Sequence, residues 1–575
     1  MQILFVAVDS QYIHSNLALR YLYKLSDLPG CRTGFMETTV NDDVDQVLQE
    51  LAGHGPDLVV FSCYIWNIEY TRKLISALRV IRPETVIACG GPEVAYSAEA
   101  FLKESPADIV MAGEGEAVFP PLLEALLHNE SRGAAEADLS GCPGLFYRCG
   151  ETIMTTQPAD LVDMATIPFP YDEEQFQILK DRLVYYEGQR GCPYGCTYCL
   201  SSIDRTIRHK PLDKVKTELK CFMEARVPLV KFVDRTFNVR EDWAYEVLSF
   251  ILEQREQNGY ETSFHLEVGA ATLSRRTIAL FNASPPGLFQ IEAGIQSTDR
   301  KVLALIDRQD DQDRLTEALG KIIAGGRVHV HTDLIAGLPG DTLESFRRSF
   351  NDCMAMGPDM LQVGFLKVLK GTPLDRQRER YGIRHRAWPP YEVLQTGTMS
   401  YADLQTVKKL EVVTDRFYNS GKFSASMRFL LNKSEKHWDL FNDIANNLSI
   451  RQKDRSPLKF EKYYSVIKDL CQNYSMEEQL IMADLLRFDY VRGNRSGHVP
   501  EDLRDGDYNS QRTRLLCKNR ESYVLKGSVV RFNIDVLLFF YQGEIRKTET
   551  WLFCSPGTRE LIPVIKDAKG EYVHA

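Results

Sequence analysis

Short apolar runs alternate with amphipathic stretches along the first two thirds of this chain, and that rhythm restricts the fold more than any other feature. From residue 1 to about 128 the runs are Ile3–Val8, a weaker one at Phe35–Val40, Leu58–Phe61, Val86–Cys89 and Ile109–Met111. Helical periodicity fills Asn16–Leu25, Ile68–Ile81 and Ala117–Leu127. Strand–helix units of about 25 residues imply a parallel sheet covered by helices on both faces. From Leu183 to about Leu374 the units lengthen to about 30–45 residues. Strands are expected at Leu183–Gly188, Leu229–Asp234, Thr262–Val268, Leu288–Ile295, Val328–Ile335 and Met360–Leu369. Helices are expected at Leu212–Ala225, Trp243–Gln257, Ser274–Asn282, Arg300–Ala324 and Leu343–Met356. Six such units predict a parallel barrel or an incomplete one. In both layouts ligands collect outside the carboxyl ends of the strands.

The rest of the chain breaks this rhythm. Residues 129–181, with Gly141–Gly144 and the breakers Pro168 and Pro170, read as a linker in which Cys142 and Cys149 flank a short hairpin. The carboxy-terminal part starts helical (Leu404–Tyr418, Ser465–Asn473, Met476–Leu486) and ends β-rich, with strands expected at Val524–Tyr541 and Thr548–Phe553. The predicted fold is α/β, in four parts. They are a parallel-sheet domain (1–128), the linker (129–181), a partial (β/α)6 barrel (182–384) and a mixed α+β domain (385–575).

With 44% hydrophobic and 26% charged residues among 575, wholesale disorder is excluded. A net charge of −10 argues against a general nucleic-acid coat. No uncharged apolar run approaches the roughly 18 residues of a membrane helix; the longest candidate is Val536–Tyr541. The opening MQILFVAVDS has no basic lead or small-residue cleavage site and reads as a strand, so a cytoplasmic location is expected.

Of 13 cysteines, ten are scattered: Cys31, Cys63, Cys89, Cys142, Cys149, Cys221, Cys353, Cys471, Cys517 and Cys554. The plain expectation for each is a small buried hydrophobe. The other three are bunched in Gly191-Cys192-Pro193-Tyr194-Gly195-Cys196-Thr197-Tyr198-Cys199, directly after the first barrel strand. Three thiolates spaced C-x3-C-x2-C on a tight loop can hold three corners of a four-iron cube and leave one iron open. A structural zinc site wants four protein ligands, and a redox dithiol needs only two cysteines.

This loop, with an aromatic residue before its last cysteine, resembles that of the radical S-adenosylmethionine (SAM) enzymes. The likeness spans roughly residues 183–375. It implies that Cys192, Cys196 and Cys199 ligate a [4Fe–4S] cluster. The open iron would bind SAM, and one electron from a reducing donor such as flavodoxin or ferredoxin would cleave it to methionine and a 5′-deoxyadenosyl radical. Tyr198 would lie against the adenine. Later strand ends match in order: Asp234 after the second strand, Glu267 after the third, Glu292 through Gln296 and Ser297 after the fourth, and Asp333 on the fifth. The resemblance implies that these bind SAM, although Ser297 or Asp341 taken alone reads as a helix N-cap.

The amino-terminal domain is similar to the Rossmann-like cobalamin-binding domains that precede the barrel in part of this superfamily. The likeness rests on its strand-end loops. It implies that Tyr12, Ser62, Tyr64, Trp66, Asn67, Gly90, Gly91, Pro92, Glu93, Gly113, Glu114 and Gly115 surround the corrin and its tail. Asp9, Gln11 and His14 do not reproduce the Asp-x-His-x-x-Gly motif of cobalt-ligating carriers, so His14 reads as a polar loop residue. The carboxy-terminal part resembles a domain of unassigned role that accompanies such proteins, seen at Pro390–Leu394 and Phe417–Gly421, and position alone suggests that it caps the barrel.

The whole implies reductive SAM cleavage with methyl transfer from methylcobalamin to a carbon of an unidentified substrate. The alternative within the class is a cobalamin-assisted cyclisation or rearrangement without methylation. A methylthiotransferase would need Cys31, Cys63 and Cys89 to converge, but Cys31 opens a strand whereas the other two end strands. An iron–sulfur and cobalamin sensor would leave the open iron unused.

Overall fold

The computed structural model describes residues 1–128, 137–451, 460–494, 499–504, 510–518, 522–555, 561–566 and 572–574. Their contacts divide them into two compact units, 1–342 with 365–400, and 343–364 with 401–575.

In the first unit β1 (Gln2–Asp9) is buried along almost its whole length. Strand alternation sends Ile3, Phe5 and Ala7 into one apolar layer and Leu4, Val6 and Val8 into the other, so both faces need helical cover. β2 (Arg32–Thr39) and β3 (Leu58–Ser62) flank it in parallel, Phe5 lying opposite Phe35 and Val60. β4 (Val86–Gly90) and β5 (Ile109–Met111) extend the sheet in parallel. Helices Leu17–Leu25, Ile68–Ile81 and Gly115–Leu127 form where periodicity places them. A further helix, Val44–Gly53, falls outside the expected set and starts where Asp43 accepts the amide protons of Asp45 and Gln46.

The segment read as a linker does more than connect. β6 (Leu145–Cys149) pairs antiparallel with β5, Phe146 opposite Val110, and turns through Gly150 into β7 (Thr152–Thr155). The hairpin thus becomes the edge of the first sheet. Residues 129–136 of that segment lie outside the described residues.

β8 (Val184–Tyr186) begins the barrel. It is followed by β9 (Gln189–Arg190), which pairs antiparallel with β10 (Arg208–His209). β11 (Leu229–Phe232), β12 (Ser263–Glu267), β13 (Phe289–Gln296) and β14 (His329–Ala336) run parallel beside β8 in chain order. Phe232, Phe264, Leu266, Ile291 and Val330 turn to the helices and are fully buried. The alternate positions Lys231, His265, Glu267, Glu292 and His331 face the lumen. The helix expected over Arg300–Ala324 is two, Arg300–Leu305 and Gln312–Gly325. Asp307 takes a left-handed backbone (φ 53°), and Asp311 caps the second helix through the amides of Asp313 and Arg314. The sixth expected strand forms as β15 (Met360–Phe365) after helix Leu343–Met356. A short antiparallel pair, β16 (Arg384–His385) and β17 (Val393–Gln395), closes the first unit.

The second unit is helical from Tyr401–Val413 through Ser424–Lys433, His437–Arg451 and Phe460–Leu470 to Met476–Asn494. An antiparallel meander follows: β18 (Ser510–Lys518), β19 (Ser522–Phe532), β20 (Thr550–Cys554), β21 (Ile562–Lys566) and β22 (Tyr572–His574). The strand expected over Val524–Tyr541 ends at Phe532. Its second half is a helix, Val536–Gln542, started by Asp535, whose carboxylate accepts the Leu538 amide proton, and closed by left-handed Gly543 (φ 76°).

Buried acids organise this unit. Asp489 accepts from the amides of Ala425 (3.0 Å) and Ser426 (2.9 Å) and from the Ser426 hydroxyl (2.7 Å), so it caps a helix distant in sequence. Asp489→Ala is expected to strand those donors at a cost of about 2–4 kcal/mol. Hydrogen exchange should show protection lost across Ser424–Lys433; unchanged protection there would remove the capping role.

Candidate functional site

The cysteine loop, residues 191–207, is pinched at its base by β9 and β10. Gly191 opens it at φ 89°, where a Cβ would stand 2.2 Å from the Thr206 carbonyl oxygen. Thr197 donates its amide to the Ile306 carbonyl (3.0 Å), and its own carbonyl accepts from Leu374 (2.9 Å). The loop is therefore fixed to the break between helices Arg300–Leu305 and Gln312–Gly325. Cys192 and Cys196 are buried and Cys199 is half-buried. Burial pushes the Cys196 thiol up; Arg308 opposes this, while Cys199 and Cys192 add to it, so the three sulfurs share one electrostatic neighbourhood.

A single tetrahedral ion would hold sulfurs about 3.8 Å apart. Among the described residues the one group of three ligand types with all ligand atoms within 4.8 Å is His265, Glu292 and His331. The three thiols are thus spaced more widely than one ion requires, which suits a cluster. Arg308 stands beside them, its guanidinium 3.8 Å from Cys196 Sγ, 2.6 Å from the Gly294 carbonyl and 2.7 Å from Asp310. Sequence reasoning missed it. The polar run Asp307–Asp311 was the available signal, because a helix rarely runs through four acids and amides ending in a good N-cap.

At the strand ends the expected SAM residues separate into two groups. Glu267, Gln296 and Asp333 lie around the lumen, whereas Tyr198 stays in the cysteine loop beside Arg308 and the Cys196 and Cys199 sulfurs. Burial and Glu292 raise the Glu267 carboxyl to about 7, against the pull of Arg235. Burial, then Glu292 and Glu267, raise Asp333 to about 8. Gln296 sits at a bulge in left-handed backbone (φ 68°), its amide packed over Gly294 where a Cβ would meet it at 2.2 Å. The buried Gln296 Oε1 and Asp333 Oδ1 have no hydrogen-bond partner. Two orphaned acceptors, and two carboxyls that a nearby cation would help to ionise, suit a ligand bearing ammonium and sulfonium groups. Asp234 differs: it is fully buried, accepts the Gly188 amide proton (2.8 Å) and braces the turn after β8. Ser297, also buried, accepts from Asp299 N (3.1 Å) at the start of helix Arg300–Leu305. Glu292 faces His265 Nε2 at 3.1 Å and Lys231 Nζ at 3.5 Å, and the His265 hydrogen bond holds its carboxyl down to about 2.

Above the first sheet a cavity of about 660 Å³ opens between the ends of β1, β3, β4 and β5 and the end of β8. Ser62, Tyr64, Trp66, Gly90, Gly91, Gly113, Glu114 and Gly115 line it, as do Asp9, His14, Tyr185, Arg190, Gly191 and Arg235. Tyr64 and Trp66 stack at 4.4 Å with 5° between planes, leaving Trp66 46% exposed. An exposed stacked indole beside glycine-lined walls suits a broad, flat ligand such as a corrin.

Four expected residues stand elsewhere. Tyr12 is exposed under the Arg182 guanidinium. Asn67 is fully buried and ties the ends of β1 and β3 through the Val8 and Ser62 carbonyls (2.9 Å each). Pro92 starts the short helix Pro92–Ala95, and Glu93 pairs with Lys370 (3.1 Å) and Tyr391. His14 hydrogen-bonds the Tyr185 hydroxyl through Nδ1 at 2.7 Å. A charge network fastens the two halves of the cavity: Arg190 meets Glu187 (2.9 Å), Glu114 (3.3 Å) and Glu116, and Arg208 meets Glu114 (2.6 Å). Burial opposes ionisation of Glu114, yet hydrogen bonds from Arg208 and Val162 hold it down to about 2.

Asp9 lines this cavity almost buried, with Oδ2 unpartnered; burial and Glu37 raise its carboxyl to about 7. A carboxyl raised on folding leaves stability intact below its unfolded value and removes it as pH climbs through the folded value. Asp9→Asn is therefore expected to match the parent's thermal stability at pH 4. At pH 8 it should exceed the parent by about 1–3 kcal/mol, since each tenfold change in proton affinity is worth about 1.4 kcal/mol. Equal melting temperatures at pH 8 would show that the charge is compensated.

Family models match where this geometry lies. Residues 3–123 match a B12 binding domain, residues 186–353 the radical SAM superfamily, and residues 379–531 a protein family of unknown function, DUF4080. The chain therefore carries a B12-binding region, a radical SAM region and a DUF4080 region in that order. TokK of Streptomyces tokunonensis, a cobalamin-dependent radical SAM methyltransferase, is 26% identical to this chain over 370 residues, covering 61% of it. The 2-(S-pantetheinyl)-carbapenam-3-carboxylate methyltransferase of Streptantibioticus cattleyicolor is 26% identical over 362 residues, covering 59%. The match spans 52% of each relative's own length. Among solved structures, the cobalamin-dependent SAM radical enzyme OxsB with aqua-cobalamin and SAM bound superposes at a TM-score of 0.60. It is 15% identical, and the match covers 87% of this chain and 82% of OxsB, a likeness of fold.

Cys63 and Cys89 lie side by side in the first core, while Cys31 precedes β2 at the opposite edge, so the trio of a methylthiotransferase does not form. Cys149 is exposed and Cys31 and Cys221 are half-buried, unlike the buried hydrophobes expected. The Cys517 side chain lies outside the described residues. Among the described residues no helix is long and apolar enough to cross a membrane.

Proposed function

We propose that this chain is a cobalamin-dependent radical SAM methyltransferase acting on a substrate carbon. One observation carries the reading: Gly191, directly after β9 at the start of the cysteine loop, and Arg235, in the loop after β11, line the same cavity as the glycine loops and stacked aromatics of the first domain. The corrinoid pocket therefore opens onto the barrel beside the cluster loop, so a methyl carrier and a hydrogen-abstracting centre can serve one substrate. When bound, the cluster supplies the electron that cleaves SAM, and the corrinoid carries the methyl group.

The chain's own residues position these partners. Cys192, Cys196 and Cys199 hold the cluster, and Arg308 fixes its loop and balances thiolate charge. Glu267, Gln296 and Asp333 offer acceptors to the ammonium and sulfonium groups of SAM, and Tyr198, beside Arg308 and the cluster cysteines, offers its ring to the adenine. Trp66 and Tyr64 give the corrin a flat apolar floor. A low-potential donor such as flavodoxin or ferredoxin completes the system.

The test is anaerobic reconstitution with iron, sulfide and hydroxocobalamin, followed by SAM and a strong reductant. Both 5′-deoxyadenosine and S-adenosylhomocysteine are expected. Deoxyadenosine without S-adenosylhomocysteine would overturn methyl transfer and favour a non-methylating cobalamin enzyme.

A further inference from the structure

The lumen of the barrel holds a second set of ligand-type side chains, and none of them lines the 660 Å³ cavity. We propose that His265, Glu292 and His331 bind a divalent transition-metal ion of the zinc type. This inference goes beyond the function proposed above and does not depend on it.

Strand register brings the three together. Glu292 on β13 lies opposite His331 on β14, and His265 on β12 lies two residues below the partner of Glu292. The residues flanking each in sequence point into the fully buried outer layer, so all three side chains enter the lumen. One ligand atom from each lies within 4.8 Å of the other two, and His265 Nε2 stands 3.1 Å from Glu292 Oε2. Two donors on a tetrahedral ion at about 2.0–2.1 Å lie about 3.3 Å apart, so small side-chain rotations would complete the set. Two histidines and a carboxylate suit zinc or iron(II), and they leave a position for water or a substrate oxygen.

A hydrogen-bonded His265–Glu292 pair would account for two of these residues and leave the third unexplained. His331 meets the rings of His265 (5.4 Å) and His329 (4.7 Å) edge-on. Among the described residues neither of its ring nitrogens has a hydrogen-bond partner. An imidazole at ligand distance from a carboxylate and a second imidazole, with its unprotonated ring nitrogen free to donate a lone pair, is the arrangement that coordination requires. His329 lies exposed two residues before His331, so three of the chain's 11 histidines gather at this one place.

Lys231 opposes the metal and sharpens the test. Its ammonium lies 3.5 Å from Glu292 Oε2, a cation on the carboxylate that the metal would use. A long flexible side chain at that distance can withdraw, but its charge must weaken metal binding.

The experiment uses the full-length, cluster-reconstituted chain, titrated anaerobically with Zn²⁺ against a chromogenic chelator. One zinc per chain is expected beyond the cluster iron. His265→Ala and His331→Ala should each weaken it about 100-fold or more, and Lys231→Met should tighten it about tenfold. Iron content and bound corrinoid, measured on the same samples, report that the variants fold. Equal zinc binding by parent and both histidine variants, or none by the parent and by Lys231→Met, would overturn the site.

Discussion

A chain with Cys196→Ala is expected to fold, retain its corrinoid and form 5′-deoxyadenosine at less than about a thousandth of the parent rate. The number of ligands decides this. Three sulfurs are the minimum that hold a four-iron cube with one iron left open, so losing one removes the cluster and not merely part of its affinity. Cys196 is the central thiol of the loop and the one beside Arg308, 3.8 Å away. The fold survives because the loop is fixed by main-chain bonds, Thr197 to Ile306 and Leu374 to Thr197, and not by the sulfur. Iron content should fall to background while the corrinoid spectrum is unchanged. Substantial deoxyadenosine from Cys196→Ala, with iron still bound, would mean that the cluster is held elsewhere.

The two parallel sheets are legible from the sequence because their strands are buried on both faces and cannot be mistaken for amphipathic elements. Ile3–Val8 is the plainest case, feeding two apolar layers at once. The apolar run Val536–Tyr541 misleads for the same reason: a short run without alternation does not separate strand from helix. There Asp535 and Gly543, a cap and a left-handed stop, decide for the helix. The break at Asp307–Asp311 is likewise a matter of caps overriding an apolar period.

Within the site, residue types were legible and directions were not. The cysteine loop is a local motif, so its geometry follows from its own sequence. Asp234, Asn67 and Glu93 also stand at strand ends, but each turns to main chain or a distant partner instead of a cavity. Which way such a side chain turns depends on register and on elements far along the chain. Arg308 and Arg190 show the converse. They reach the cysteine loop and the cavity across gaps of 112 and 74 residues, which no local pattern encodes.

Gly91→Ala is expected to abolish corrinoid binding while leaving the cluster intact. Gly91 has φ 104°, a backbone region that alanine enters only with strain, and an added Cβ would stand 2.6 Å from the Cys63 carbonyl oxygen and 3.1 Å from the Cys63 nitrogen. Both are main-chain atoms at the end of β3, held in place by the Cys63 amide's bond to the Gly90 carbonyl at 2.7 Å. Neither side can yield alone. Relief must come from displacing the Gly90–Gly91 turn into the cavity or from prising β3 from β4, at about 3 kcal/mol or more. The first course narrows the glycine-lined wall, and the second moves Tyr64 and Trp66, which follow Cys63 directly. Either course should weaken hydroxocobalamin at least about 100-fold. The cysteine loop lies beyond the Arg190–Glu116 contact and takes no main-chain bond from Gly91, so iron content should match the parent. Parent-level cobalamin affinity in Gly91→Ala would show that the corrinoid does not sit against this turn, and with it the assignment of the cavity would fall.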